Sequence, residues 1–311
     1  MTLKVAVLPT STAHLDEALL SADAVLTSLD NAQALIWTGS DHTGFPRNLP
    51  STIEWVQLKS AGVRPWIISG IIDAHRTWTS AVGAYSDDVA EHAVALLLGS
   101  LRLLTRHARA NTWLKDETWG AVRSLRGRRV VIVGAGSIGR AMIPLLNALG
   151  TQAIAVNRSG RKVDGAETTV AAGDLNTALA AADDAILAGA STDATHRLIG
   201  AEQLAALGSN PRDGAPGVLV NIARGDLLDT VALTHALHAG IISGAGLDVS
   251  DPEPLPVGHE LWTMDNVLIT PHIANPNSRM TESFAAFVSE NLRRFSAGRA
   301  LKAVIDLERS Y

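Results

Sequence analysis

Short apolar runs recur along the chain, separated by more polar stretches in which apolar residues return every three or four positions. In the first hundred residues the runs are KVAVLP, QALIWTG, IEWVQLKSAG and PWIISGI. That rhythm predicts parallel strands joined by crossover helices. SDDVAEHAVALLLGSLRLLTRHAR (86–109) follows as one long helical pattern, with Ser86 as N-cap and Asp87 and Asp88 set against the positive end of the helix dipole. A second series begins at RRVVIVGAG and runs through QAIAVN, DAILAGAS, GVLVNIAR, GAGLDV and NVLITPHIA. Helical stretches separate these runs, as in a doubly wound sheet. A helix, SRMTESFAAFVSENLRRFSAG (278–298), and a short apolar run, AVIDL, come last. A strand so short has no core of its own and is expected to return to the first series.

A chain of 311 residues suits two domains of ordinary size. The boundaries expected are 1–98 plus 284–311 for a discontinuous first domain, and 99–283 for a second domain. The composition is 47% hydrophobic and 18% charged with a net charge of −5, which argues against nucleic acid or an anionic membrane as partner. The basic cluster RGRR (126–129) leads straight into an apolar run and reads as a solvated strand start. There are no cysteines, so disulfides, thiolate nucleophiles and Cys-ligated zinc are excluded. The stretch MTLKVAVLPT has too short an apolar run for a secretion signal and is interrupted by Pro9. AVALLLGSLRLL (93–104) contains Arg102 and is too short to span a bilayer. A cytoplasmic protein is expected.

VVIVGAGSIGR (130–140) sets Gly134, Gly136 and Gly139 in G-x-G-x-x-G spacing directly after four apolar β-formers. The helix that follows carries Ile138, Met142, Leu145 and Leu149 on one face, closes at Gly150, and should kink at Pro144. The glycines serve a tight turn, a close approach of backbone to a pyrophosphate, and close helix–strand packing. The helix N-terminus offers free N–H groups and a positive dipole end to an anion. At the end of the next strand, QAIAVNRSGR (152–161) lacks the acid that would accept hydrogen bonds from an NAD ribose and repel the extra phosphate of NADP. Asn157 removes the repulsion, Arg158 supplies a phosphate-matching fork, and Ser159 adds a hydroxyl donor. NADP(H) is the expected cofactor, with NAD(H) possible; a solvated basic loop is the alternative.

Three further groups lie just past the carboxyl ends of expected strands, where ligands bind in open α/β sheets. They are Arg224 in VNIARGDLLD, Asp248 and Glu253 in GAGLDVSDPEPLP, and His272 in NVLITPHIA. Together they supply a fixed cation, a titratable acid/base and a carboxylate to tune it.

These segments carry a family resemblance. With LKSAGV (58–63), DVAEHAVALLLGSLR (88–102), LRGRRVVIVGAGSIGR (125–140) and STDATHRLIG (191–200), the chain resembles the D-isomer-specific 2-hydroxyacid dehydrogenases over nearly its whole length. The resemblance implies an α/β fold in which a Rossmann-type doubly wound parallel sheet domain is inserted into a smaller flavodoxin-like α/β substrate domain. It implies that Arg224 binds the carboxylate and keto oxygen of a small 2-keto or 2-hydroxy acid. His272 would exchange the proton with the carbonyl oxygen as hydride moves, and Glu253 would hydrogen-bond His272 and stabilise the imidazolium. Asp248 would orient the nicotinamide carboxamide. Ser137 and Ile138 join the three glycines as cofactor-binding positions, as do Ala190 and Ile222. Backbone N–H groups at Gly62 and Val63 would hold the substrate carboxylate. No metal is required. His92 and His196 lack such a partner pattern and read as structural.

Departures from the family pattern are Ala190 where a proline is frequent, Arg64 where an acid is frequent, and IANPNSRM after His272 without a glycine. Glu253 argues against a formate dehydrogenase, which pairs its histidine with glutamine. Glyoxylate or hydroxypyruvate is the expected substrate. A 3-phosphoglycerate dehydrogenase-type enzyme and a nicotinamide-sensing, corepressor-like binding protein are the alternatives. Trp37 is either pocket wall or core. The helix at 88–104 resembles the family's dimer-forming segment, implying a homodimer, and could equally be buried between the domains.

Overall fold

The computed structural model describes residues 2–307. It divides into two units, Met1–Tyr85 with Pro276–Tyr311, and Ser86–Asn275. Among the described residues no helix is long and apolar enough to cross a membrane.

The first unit contains β1 (Leu3–Leu8), α1 (Ala13–Ser21), β2 (Ala24–Leu26), β3 (Ala34–Trp37), β4 (Trp55–Leu58), α2 (Arg64–Ile68) and β5 (Thr77–Thr79). Its five strands pair in parallel in the order β2-β1-β3-β4-β5, the flavodoxin-like order. The AVIDL run comes back to this sheet: Val304 bridges Thr79 antiparallel, and the Ile305 N–H donates to the Trp78 carbonyl at 2.8 Å. One face packs Leu15 and Leu19 against Phe284, Val288 and Leu292 of the returning helix, whose four-residue spacing makes a single apolar stripe. The other face is aromatic, with Trp37, Phe45, Trp66 and Trp78 buried together. Trp37 is 2% exposed, meets Phe45 edge-on at 5.0 Å and donates its indole N–H to the Asp41 carbonyl at 2.8 Å. It is core.

The second unit opens with α3 (Ser86–Leu101), α4 (Leu104–Arg109) and α5 (Lys115–Thr118). The pattern 86–109 is therefore two helices, broken where Leu103 takes φ +55°; Ser86 is already inside the first. There follow β6 (Arg129–Val133), α6 (Ser137–Ala148), β7 (Gln152–Asn157), β8 (Thr168–Ala171), α7 (Leu175–Ala180), β9 (Asp184–Leu187), α8 (Ala201–Gly208), β10 (Val218–Asn221), α9 (Thr230–His238), β11 (Gly244–Leu247) and β12 (Val267–Ile269). The chain then returns to the first unit as α10 (Asn277–Ser296). The seven strands pair in parallel as β12-β11-β10-β9-β6-β7-β8. This is a Rossmann-type sheet, and the strand order reverses between β6 and β9.

The continuous apolar run VVIV of β6 follows from burial on both faces. Val131 and Val133 pack with α7, α8 and α9, while Val130 and Ile132 pack with α3 and α6. Each such side chain contributes about 1.5–3 kcal/mol. α6 runs on through Pro144 from Ser137 to Ala148, and Gly150 turns the chain out of it at φ +78°.

Three expectations change. The boundaries expected at 98/99 and 283/284 fall at 85/86 and 275/276. The reason for the first is that Ala90, Ala93, Leu96 and Leu97 of α3 are buried in the second unit's core. Residues 308–311, assigned to the substrate domain, lie outside the described residues. RGRR is not solvated throughout. Arg128 is 1% exposed and forks onto the buried Asp184, Nε to Oδ2 at 2.6 Å and Nη2 to Oδ1 at 3.1 Å, tying the start of β6 to that of β9.

Candidate active site

The switch between β6 and β9 places the glycine turn at the carboxyl end of the sheet. Gly134 has φ +95°, and a Cβ there would stand 2.3 Å from the Cα of Gly189 beyond β9. A pair of glycines therefore lets the two strand ends close on each other. Gly139 sits where a Cβ would meet Ile132 Cγ2 at 3.0 Å, the price of packing α6 tightly on β6. Gly136 is different: nothing lies within 4 Å of its Cβ position. It N-caps α6 with no side-chain hydrogen bond, so the first N–H groups of the helix, at Ser137, Ile138 and Gly139, have no intrahelical acceptor. Open space over uncapped N–H groups fits an anion such as a pyrophosphate.

At the end of β7, Asn157 shapes the loop that follows. Its Nδ2 donates to the Arg161 carbonyl at 2.7 Å and its Oδ1 accepts from the Ser159 N–H at 3.1 Å. Gly160, at φ +68°, completes the turn. Arg158 and Ser159 are exposed at its tip. The sequence motif supplies the charge, and the asparagine amide supplies the loop.

On the other side of the switch, Ala190 follows β9 and its carbonyl accepts from Thr195 Oγ1 at 2.7 Å. Ile222 is 4% exposed, with its side chain in the core. Beyond it the Arg224 loop is held by a residue that the motif reading passed over. Asn221, fully buried at the end of β10, donates from Nδ2 to the Arg224 carbonyl at 3.1 Å and accepts from the Ala223 N–H at 3.0 Å. Arg224 is half-buried, and its Nη1 donates to the Ala223 carbonyl at 2.6 Å.

Glu253 and His272 come together. His272 Nδ1 lies 2.6 Å from Glu253 Oε1, and the two side chains are 49% and 42% exposed. An ionised carboxylate only accepts, so Nδ1 carries the proton of this hydrogen bond and Nε2 is the nitrogen left for a substrate. His272 itself adopts φ +53°, a conformation in which a side chain is strained.

Asp248 is engaged with the protein. Its Oδ1 accepts from Thr270 Oγ1 at 2.6 Å and the Ile273 N–H at 2.9 Å, and its Oδ2 accepts from the Ala274 N–H at 3.1 Å. Its side chain is 1% exposed. Burial alone pushes this carboxyl up, but hydrogen bonds from His92, Thr270, Ile273 and Ala274 outweigh burial and hold it at about 2. Gly62 and Val63 belong to the first unit, between β4 and α2, with Val63 4% exposed. Thr270 was passed over and His92 was read as structural; the only sequence signal for Thr270 was its place two residues before His272.

The sequence model described as D-isomer specific 2-hydroxyacid dehydrogenase, NAD binding domain, matches residues 94–274. A Corynebacterium melassecola protein described as an uncharacterized protein in the proB 3' region is 37% identical over 269 residues, 86% of each chain. The glyoxylate/hydroxypyruvate reductase HPR3 of Arabidopsis thaliana is 33% identical over 233 residues, 74% of this chain and 69% of that one. Among solved structures, the D-isomer specific 2-hydroxyacid dehydrogenase of Xanthobacter autotrophicus Py2, in complex with NADPH and MES, is similar at a TM-score of 0.80 and 25% identity, covering 100% of both chains. With a nicotinamide-cofactor domain matched over more than half its length, and relatives above 30% identity over most of it, the chain belongs to the D-isomer specific 2-hydroxyacid dehydrogenases, oxidoreductases acting on CH–OH donors.

Proposed function

We propose that the protein reduces a small 2-keto acid, glyoxylate or hydroxypyruvate, to the D-2-hydroxy acid with NADPH, and that NADH serves less well. The observation that carries this reading is the His272–Glu253 pair at 2.6 Å, set beyond β12 in the sheet whose glycine turn suits a dinucleotide. The name of the Arabidopsis relative supports the substrate class, and the NADPH held by the Xanthobacter structure supports the cofactor class.

When bound, the nicotinamide supplies or accepts the hydride. Gly134, Gly136, Ser137, Ile138 and Gly139 hold its pyrophosphate on the uncapped end of α6. Arg158 and Ser159, on the loop that Asn157 folds, would take the ribose phosphate, a task to which a guanidinium is suited. Ala190, Ile222 and Asp248 border the nicotinamide end. His272 Nε2 delivers a proton to the carbonyl oxygen during reduction and takes it back in oxidation. Glu253 holds the ring in the tautomer that leaves Nε2 facing outward, and stabilises the imidazolium. Arg224 meets the substrate carboxylate and the charge developing on oxygen; Gly62 and Val63 are the further carboxylate-binding positions that the family resemblance implies.

Steady-state reduction of glyoxylate, hydroxypyruvate, pyruvate, phenylpyruvate and 3-phosphohydroxypyruvate, with NADPH and NADH in parallel, tests the reading. Glyoxylate or hydroxypyruvate should lead, with NADPH favoured by about tenfold or more. His272→Asn should lower kcat by about 100-fold or more. Near-normal turnover in that variant, or equal use of NADH, overturns the corresponding assignment.

A further inference from the structure

We propose that His92, on α3, is a positioning residue for His272, acting through Thr270 and Asp248; the proposal rests on the role given to His272 above. His272 sits at φ +53°, so its turn persists only because neighbouring bonds hold it. The His272 N–H donates to the Asp248 carbonyl at 2.8 Å and lies 3.1 Å from the Thr270 carbonyl. The next two N–H groups, of Ile273 and Ala274, both end on the Asp248 carboxylate. The orientation of that carboxylate therefore sets the turn, and with it the direction of the His272 ring.

Two side chains fix the carboxylate in turn. Thr270 Oγ1 donates to Asp248 Oδ1 at 2.6 Å. A hydroxyl has one proton, so toward His92 Nε2, 2.9 Å away, Thr270 accepts. His92 Nε2 must then carry hydrogen, and the same N–H points near Asp248 Oδ1 at 3.3 Å. Among the described residues, His92 is the one basic side chain within ion-pairing distance of Asp248.

The fold makes this contact for a simple reason. A Cβ on Gly246 would stand 2.9 Å from Leu96 Cβ, so α3 lies flush on β11 there. His92 is four residues before Leu96 on the same helix face, about 6 Å along the axis. Asp248 is two residues beyond Gly246 and one past the end of β11, about 6.6 Å along if the chain stays extended. The two rises match, and His92 lands on Asp248. The histidine that sequence alone marks as structural thus stands behind the turn that carries His272.

The test compares His92→Leu, which removes the donor, with His92→Gln, whose Nε2 restores an N–H at similar reach. Two readouts are taken on the full chain: kcat and KM for the keto acid with NADPH, and the position of the His272 imidazole 1H–13C signal, assigned by its loss in His272→Asn. His92→Leu is expected to lower kcat about tenfold, to leave NADPH binding within about twofold, and to displace the His272 signal. His92→Gln is expected to return kcat to within about threefold and the signal to its place. An unmoved signal or wild-type kcat in His92→Leu overturns the proposal, as does His92→Gln behaving like His92→Leu. Should His92→Leu fail to fold, His92→Phe against His92→Gln makes the same comparison with the same outcomes. Turnover retained in His272→Asn refutes the role of His272 instead and leaves the signal test standing.

Discussion

A Cβ built on Gly225 would stand 1.9 Å from the carbonyl oxygen of Ser250, so the loop bearing Arg224 is pressed directly on the loop that leads to Glu253. The obstacle is backbone, and both sides are pinned. Asn221 holds the Arg224 carbonyl, and Thr230 Oγ1 donates to the Asp251 carbonyl at 2.8 Å. Gly225→Ala must therefore move one loop against the other. The expected result is a fall of about 100-fold in kcat/KM for the keto acid, with NADPH binding nearly unchanged. Wild-type kinetics in this variant would show that the register of the two loops is immaterial.

The loop after β7 makes a prediction about cofactor choice. In the proposed role, Arg158→Ala removes a charge-assisted contact to the ribose phosphate worth about 1.5–3 kcal/mol. Its KM for NADPH should rise about tenfold or more, while KM for NADH stays put. A parallel loss with both cofactors would mean that Arg158 acts on the loop rather than on a phosphate.

Asp248 predicts a pH dependence of stability. Its carboxyl is held at about 2, below the ordinary 3.8. A group with a depressed folded value stabilises the fold while ionised. That contribution is complete above about pH 4, fades as pH falls toward 2, and amounts to about 2 kcal/mol. Urea unfolding of Asp248→Asn should show a loss of about that size at pH 7 and a flatter decline between pH 4 and 2. An acid limb as steep as that of the wild type would assign the decline to other carboxyls.

Asp184→Ala should be among the most destabilising single changes at the far end of the sheet. It removes the buried carboxylate partner of the Arg128 guanidinium, 1% exposed, leaving it the Asp213 carboxylate at 3.6 Å and the Asp183 carbonyl at 3.3 Å, and breaking a buried pair costs about 3–5 kcal/mol. A chemical denaturation midpoint close to the wild-type value would contradict that. The site at the carboxyl end of the sheet should keep its cofactor affinity in whatever fraction remains folded.

Much of the site was legible because its chemistry is written in local spacing. The strand–turn–helix around Gly134, Gly136 and Gly139 needs only neighbouring residues to be recognised, and the missing acid at Asn157 is read off one position. Glu253 and His272 were legible as types, each just past a strand. Their pairing was expected only through the family resemblance, because the 2.6 Å contact depends on how β11 and β12 align. RGRR misled for a related reason: whether an arginine is solvated depends on what a distant strand brings to it, here Asp184 on β9.

The sequence by itself determined the alternation of strands and helices, the fold class, the glycine turn and the chemical types of the candidate site groups. These are local properties, set by periodicity, by glycine at special backbone positions and by side-chain chemistry. Only the tertiary structure decided that α3 belongs wholly with the second unit, that Asn157 folds the loop its neighbours decorate, and that His92 reaches Asp248 and Thr270. Those facts come from close approach between segments far apart in the chain, such as Gly246 against Leu96, where the rise of a helix and the rise of a strand coincide.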